Sequence, residues 1–329
     1  MRRRQFLATS LATGLAASLL PRRGDAQPAG KVSRVGWLTA QQASSLTPFL
    51  DALRAGLADY GYQEGRNLTV DYRFADDVFE RVPALADELV RLRVDLIVAQ
   101  GAAVFEISNR NLPVPIVYTM SADPVSAGFA TSLARPRGNM TGLTLMAIEF
   151  NGKRLELLQE ILPGLRRVAV IGNPEHPGAH LERAFSEETG TRLGLGIEYM
   201  PTRSLDELTA ALSAMAGNPP QAITVLADGF AVQNRQRIFE FATKQRVPVV
   251  SGWPVFAQSG ALFTYGPLIT ESYRRLAYYV DRVLKGAKPA ELPIERPSKF
   301  ELVLNLKTAK ALGLTLPPSV LARADRVLE

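Results

Sequence analysis

The chain has 329 residues, 47% apolar and 21% charged, with 25 Gly and 22 Pro; at ~150 residues per domain this is enough for two ordinary globular domains, and it excludes a fibrous or disordered chain. Cysteine is absent, which excludes disulfide frameworks, thiolate metal sites, cysteine nucleophiles, iron–sulfur clusters and a lipid-modified cysteine at a processed N-terminus. The net charge of +6 is uneven: Arg2, Arg3, Arg4, Arg22 and Arg23 against Asp25 put +4 into the first 26 residues and leave +2 over the remainder, with no block of like charge long enough for a nucleic-acid arm.

Residues 1–26 read as an export signal. A basic head, Arg2-Arg3-Arg4, precedes an apolar stretch from Phe6 to Leu20 and small residues around Gly24-Asp25-Ala26, with cleavage expected near Ala26. The head Arg3-Arg4-Gln5-Phe6-Leu7 resembles the twin-arginine motif, which directs folded proteins across the bacterial inner membrane. The sequence therefore predicts a periplasmic protein. No later segment offers ~18 uninterrupted apolar residues, so no membrane span is expected in the processed chain.

From Val32 onward, short β-branched runs alternate with segments of helical period, the pattern of parallel sheets covered on both faces. Val35–Leu38 reads as a strand, followed by a helix striped by Leu46, Phe49, Leu50, Leu53, Leu57 and Tyr60. The strand Leu68–Phe74 and a helix striped by Val82, Leu85, Leu89 and Leu92 come next. Strands are then expected at Leu96–Ala99, Ile116–Tyr118 and Thr141–Leu145, with a helix from about Ala102. The pattern restarts with a helix at Gly152–Leu162 and the strand Val168–Ile171. The helix Ala179–Leu193, strand Ile197–Met200, helix Leu205–Met215, strand Ala222–Leu226, helix Val232–Lys244 and strand Val247–Val250 follow. Beyond Phe256, the sequence predicts a long helix striped by Tyr273, Leu276, Val280 and Val283, a strand at Phe300–Leu304 and closing helices. The fold class expected is α/β, with two doubly wound parallel-sheet lobes joined by a hinge. The first lobe would span 32–147, completed by part of 256–290, the second 148–255, and residues 291–329 would return across the hinge.

Ligands of open parallel sheets sit beyond the carboxyl ends of the strands, so the turns there are the candidate site. In the first lobe these are Gln100-Gly101-Ala102 and Ser121 through Asp123-Pro124, where Gly permits close approach and Asp123 can cap a helix starting at Pro124. In the second they are Asn173-Pro174, Asp228-Gly229 and Ser251-Gly252. Trp37, Trp253 and Tyr265 lie at strand ends or beside such turns and could wall a pocket. Two helix N-termini facing an acid would suit a zwitterion such as an amino acid. Catalytic signatures are sparse. The two histidines, His176 and His180, sit in a Pro-Gly-containing loop unsuited to a helical ligand pair and read as solvated. No G-x-S-x-G elbow, Walker A or G-x-G-x-x-G turn follows a strand, so no enzyme, cofactor or metal site is expected.

Several stretches carry a resemblance that runs over nearly the whole processed chain: Gly61-Tyr62 with Glu64-Gly65-Arg66-Asn67-Leu68; Ala122 to Phe129; Ser132 to Pro136 with Gly138 to Gly142; and Pro297 with Phe300 to Asn305 and Thr308-Ala309-Lys310. They resemble the ABC transporter substrate-binding protein family that includes tryptophan- and phenylalanine-binding receptors. The resemblance implies a type I periplasmic-binding-protein fold, a small-molecule ligand held between the lobes, and delivery to an ABC permease in the inner membrane. It also implies ligand contacts at Gln100, Gly101, Ala102, Ser121, Asp228 and Tyr265, with Asp228 taking an ammonium group and the first-lobe turns a carboxylate. Asp228-Gly229-Phe230 departs from the Asp-Asn turn of the aromatic-binding members. A monomer binding an amino acid or aromatic compound, without nucleic acid, is the expectation; an exported sensor for a membrane signalling partner, or an exported enzyme with an unrecognised site, are the alternatives.

Overall fold

A computed structural model describes residues 32–146, 148–226 and 228–329; the predicted export signal lies outside the described residues. The first sheet is built from β1 (Ser33–Thr39), β2 (Leu68–Phe74), β3 (Leu96–Gln100), β4 (Ile116–Met120) and, after a small hairpin of β5 (Ala130–Ser132) and β6 (Arg135–Pro136), β7 (Met140–Thr144). Its order is β2-β1-β3-β4-β7, and every pairing is parallel. Alternation along β1 decides which side chains meet which helices. Val35 and Trp37 pack beneath α1 (Thr47–Asp59), while Leu38 turns to the opposite face under α2 (Val82–Arg91) and α3 (Ala103–Ser108).

The second sheet contains β8 (Arg167–Gly172), β9 (Gly196–Pro201), β10 (Ala222–Val225), β11 (Val249–Ser251), β12 (Phe263–Pro267), β13 (Phe300–Asn305) and β14 (Arg326–Leu328). In the order β14-β13-β12-β11-β10-β8-β9 only the β12–β13 pairing is antiparallel. One face is covered by α4 (Glu149–Ile161), with α5 (Ala179–Leu193) packed alongside, and by α11 (Leu306–Leu312) and α12 (Pro318–Leu321). The other carries α6 (Leu205–Gly217), the short α7 (Gly229–Gln233), α8 (Arg235–Gln245) and α9 (Pro254–Gln258).

The remaining helix, α10 (Ile269–Leu284), crosses back to the first lobe. Its stripe of Tyr273, Leu276, Val280 and Val283 joins Leu50, Leu53 and Leu57 of α1 in the core over β1. The chain thus passes between lobes three times, from β7 to α4, from β12 to α10, and from the stretch where Glu295 pairs beside Leu143 to β13. The second lobe accordingly extends past residue 255, because β12, β13 and β14 all belong to its sheet. β12 and β14 were not expected from the sequence: both are short, and β12 ends in Pro267 and pairs with a strand more than thirty residues away. Pro124 opens a run of turns rather than a helix.

Candidate functional site

The carboxyl ends of both sheets face one interlobe cleft, which divides into two chambers and a recess. The first chamber, about 260 Å³, is walled on the first-lobe side by Gln42, Phe79, Gln100, Gly101, Ala102, Phe105, Thr119 and Ser121, and on the second-lobe side by His176, Gly229, Val232, Gln233, Arg235 and Trp253. The second, about 450 Å³, shares Gln41, Ser45, Gln100, Leu145, Val232 and Trp253 with the first and continues to Phe49, Tyr273 and the hinge residues Leu268 to Thr270. Gln100 and Trp253 therefore stand at the divide. The recess, about 30 Å³, lies between Ser121, Trp253 and the buried Arg154.

Local hydrogen bonds hold these side chains in place. The Thr39 hydroxyl donates to Gln100 Oε1 at 2.5 Å, and Gln100 also bonds the hydroxyl of Tyr273, whose ring stacks on Phe49 at 5.1 Å. Gly101, with φ +63°, turns the chain out of β3. Thr119, almost wholly buried, contributes to the wall of the first chamber, and its hydroxyl, itself buried, is unpartnered among the described residues. Such an atom is costly unless something bonds it.

A latch joins the lobes beside this cleft. Ser121 Oγ lies 3.3 Å from His176 Nε2, and the Asp123 amide donates to the Pro177 carbonyl at 3.2 Å. Gly178 has φ +93°, and a Cβ there would fall within 2.9 Å of Met146 Sδ and Asp123 Cβ. Only glycine lets the loop close this tightly on the other lobe. Asp123 itself accepts the Ser126 amide at 2.6 Å.

Of the ten candidate residues, the fold brings Gln100, Gly101, Ala102, Ser121 and Trp253 together in the cleft. Trp37 is in the core, 6.1 Å from Tyr273, and borders a separate apolar cavity of about 260 Å³ under α1. Ser251 is buried, its hydroxyl donating to the Val225 carbonyl. Tyr265 sits edge-on to Phe150, which stacks on Phe300, away from both chambers. Asp228 is 6% exposed and outside both linings. Its Oδ1 caps α7 by accepting the Ala231 amide at 2.6 Å, and Asn173 bonds it as well. Burial pushes its carboxyl up to about 6 despite these bonds. Asp228→Ala should cost about 1 kcal/mol of stability through the lost cap, seen as a lower denaturation midpoint, with ligand affinity nearly unchanged by calorimetry.

Sequence reasoning missed His176, Gln233, Arg235 and the Gln41–Ser45 turn. His180 is exposed, but His176 is not the solvated loop residue expected: the latch partly buries it and desolvation brings its imidazole down to about 4. The native state thus takes up that proton later than the unfolded chain, whose histidine titrates near 6.5, so His176 adds stability as pH rises from about 4 to 6.5. Asp228, at about 6, and Glu182, raised by burial to about 7, hold their protons longer than the unfolded chain and act in the opposite sense. His176→Gln should therefore lose stability with rising pH more steeply than the parent over that interval in denaturant melts.

Below the recess, the Arg154 guanidinium donates to the Tyr265 carbonyl at 3.0 Å and to Asn151 Oδ1, with Glu182 as its charge partner. Among the described residues, no group of three or more His, Asp or Glu side chains could hold a metal, and no helix is long and apolar enough to cross a membrane.

Over residues 41–328, this two-lobed chain matches the family described as ABC transporter substrate binding protein. The chain belongs to that family. It is 25% identical to the tyrosine-binding protein of Clostridioides difficile (strain R20291) over 277 residues, which is 81% of this chain and 78% of the relative. Among solved structures, it resembles a conserved domain protein from Vibrio cholerae with a TM-score of 0.81 and 25% identity, over 90% of this chain and 100% of the other. It also resembles an ABC domain in complex with L-Trp from Streptococcus pneumonia, with a TM-score of 0.82 and 22% identity over 90% and 99%. The fold is that of the type I periplasmic binding proteins, mixed α/β with two mostly parallel sheets, as the sequence resemblance implied.

Proposed function

We propose that this protein is the solute receptor of an ABC importer, working in the periplasm after loss of residues 1–26. It captures a small molecule, an amino acid or aromatic compound, between its lobes and presents the closed form to a membrane permease. The observation that carries this reading is the cleft: two lobes with separate cores, joined by three connections, both contribute polar and aromatic side chains to the same chambers. Closing such lobes removes water from the ligand and strengthens each polar contact, and reopening releases it, with no chemistry required. The tyrosine- and tryptophan-binding relatives support a ligand with an aromatic body, which Trp253, Phe105 and Phe79 would face.

The test uses the chain's own fluorescence. Of its two tryptophans, Trp37 is sealed in the core and Trp253 lines the cleft. Titration with tyrosine, tryptophan, phenylalanine, aromatic acids, sugars and nucleosides should give a saturable change in Trp253 emission, with a smaller radius of gyration by X-ray scattering and the ligand recovered intact. Turnover of a bound compound, or folded protein that neither binds nor compacts with any of them, would sink the proposal.

A further inference from the structure

The cleft carries charge that its own side chains do not balance. Arg235, at the start of α8, lines the first chamber and is partly buried. Its Nε donates to Ser259 Oγ at 3.0 Å and one terminal nitrogen to the Val232 carbonyl at 2.6 Å, but no carboxylate among the described residues pairs with it. Two other buried charges around the cleft face an opposite charge. Arg154 is set against Glu182 in the recess, and Glu301 lies 3.8 Å from Arg326 at the edge of the second chamber. On the acidic side, Asp228 is occupied as a helix cap and lies outside the chambers. Among the described residues the acid that lines the first chamber is Asp77, which is exposed at its rim and accepts from Gln42.

Lobe closure makes this imbalance matter. An exposed Asp77 keeps its water, whereas a half-buried guanidinium loses hydration when the chamber shuts and must find an anion to offset that loss. A planar carboxylate fits the forked donors of arginine. The uncharged donors on the walls of the same chamber, Gln233 and Gln100, suit oxygen acceptors as well.

Resting on the receptor reading above, we propose that Arg235 of the second lobe recognises the ligand's carboxylate, and that the cleft binds aromatic carboxylates without requiring an α-amino group. The specificity is for an anion with an apolar body, so amino acids are accepted through their acid end only. This reverses the polarity implied by the sequence resemblance, in which the second lobe takes the ammonium group.

Three probes sharing one ring separate the ends of the molecule: 3-(4-hydroxyphenyl)propanoate, L-tyrosine and tyramine, titrated calorimetrically into the intact chain. The acid should bind at least as tightly as the amino acid, and the amine at least tenfold more weakly. Arg235→Gln should weaken acid and amino acid binding by thirtyfold or more, and Arg235→Lys should recover part of it. Melting curves of both variants check that the fold is retained. Tyrosine binding without binding of the des-amino acid, tyramine binding as tightly as the acid, or an Arg235→Gln variant that binds like the parent would each overturn the assignment. If only neutral sugars or nucleosides bind, the carboxylate inference falls and the receptor reading stands. If nothing in either set binds and the lobes never compact, both fall.

Discussion

Trp253→Ala is expected to raise the dissociation constant for the cleft ligand by two to three orders of magnitude, while Trp253→Phe retains most of the affinity. Trp253 borders both chambers and the recess and packs partly into the cores of both lobes, so its ring is the largest surface a ligand can meet from either side. Central aromatic anchors shielded by less critical contacts commonly contribute ~2–4 kcal/mol. Calorimetric titration measures the loss, and because Trp37 remains, residual fluorescence confirms an intact first-lobe core. A change of less than threefold would place the ligand elsewhere.

Arg154→Ala is expected to destabilise the protein by ~3–5 kcal/mol, the range for removing one member of a buried charge pair. Arg154 is 4% exposed, and its guanidinium holds the Tyr265 carbonyl and Asn151 and is the counter-charge for Glu182. Without it, Glu182 must protonate or stay buried and ionised. Its carboxyl, already raised to about 7, would rise further. The native state would then hold a proton that the unfolded chain has released above its ordinary carboxylate range, so the deficit grows with pH. Denaturant melts at pH 5 and pH 8 should show the larger loss at pH 8. A companion Glu182→Gln substitution in the Arg154→Ala background should remove that pH dependence; equal losses at both pH values would mean Glu182 does not rely on Arg154.

The strands that could be read from sequence are the ones with local reasons to exist. Leu96–Gln100 and Arg167–Gly172 are apolar on both faces and flanked by helical stripes, and parallel pairing puts their carboxyl ends at the cleft. That logic is enough to find Gln100, Gly101, Ala102 and Ser121. It overreaches at Trp37, whose place in the alternation of β1 points it at α1 and α10 rather than toward the ligand. It also overreaches at Ser251, whose hydroxyl serves a neighbouring strand. His176 was not legible because its burial comes with a contact to the opposing lobe, and Arg235 because its partners, Ser259 and the Val232 carbonyl, are brought to it only by the fold. Nothing within a few residues of His176 marks it as half of a latch, and Arg235 reads as one more basic residue on an exposed helix until its missing carboxylate partner is visible in three dimensions.

The donation of α10 to the first lobe has a consequence for synthesis. Strands β1 to β7 are complete by Thr144, yet the layer covering Leu50, Leu53 and Leu57 arrives only with Ile269–Leu284, and Gly56 is small enough for the Arg274 carbonyl to lie against it. A nascent chain emerging in order must keep that apolar seam open, or shield it, while the entire second sheet as far as β12 is translated. Assembly of the amino-terminal half is therefore a late event with long sequence separation, slow by topology. A fragment ending at residue 147 would carry the strands of a lobe but lack one of its walls.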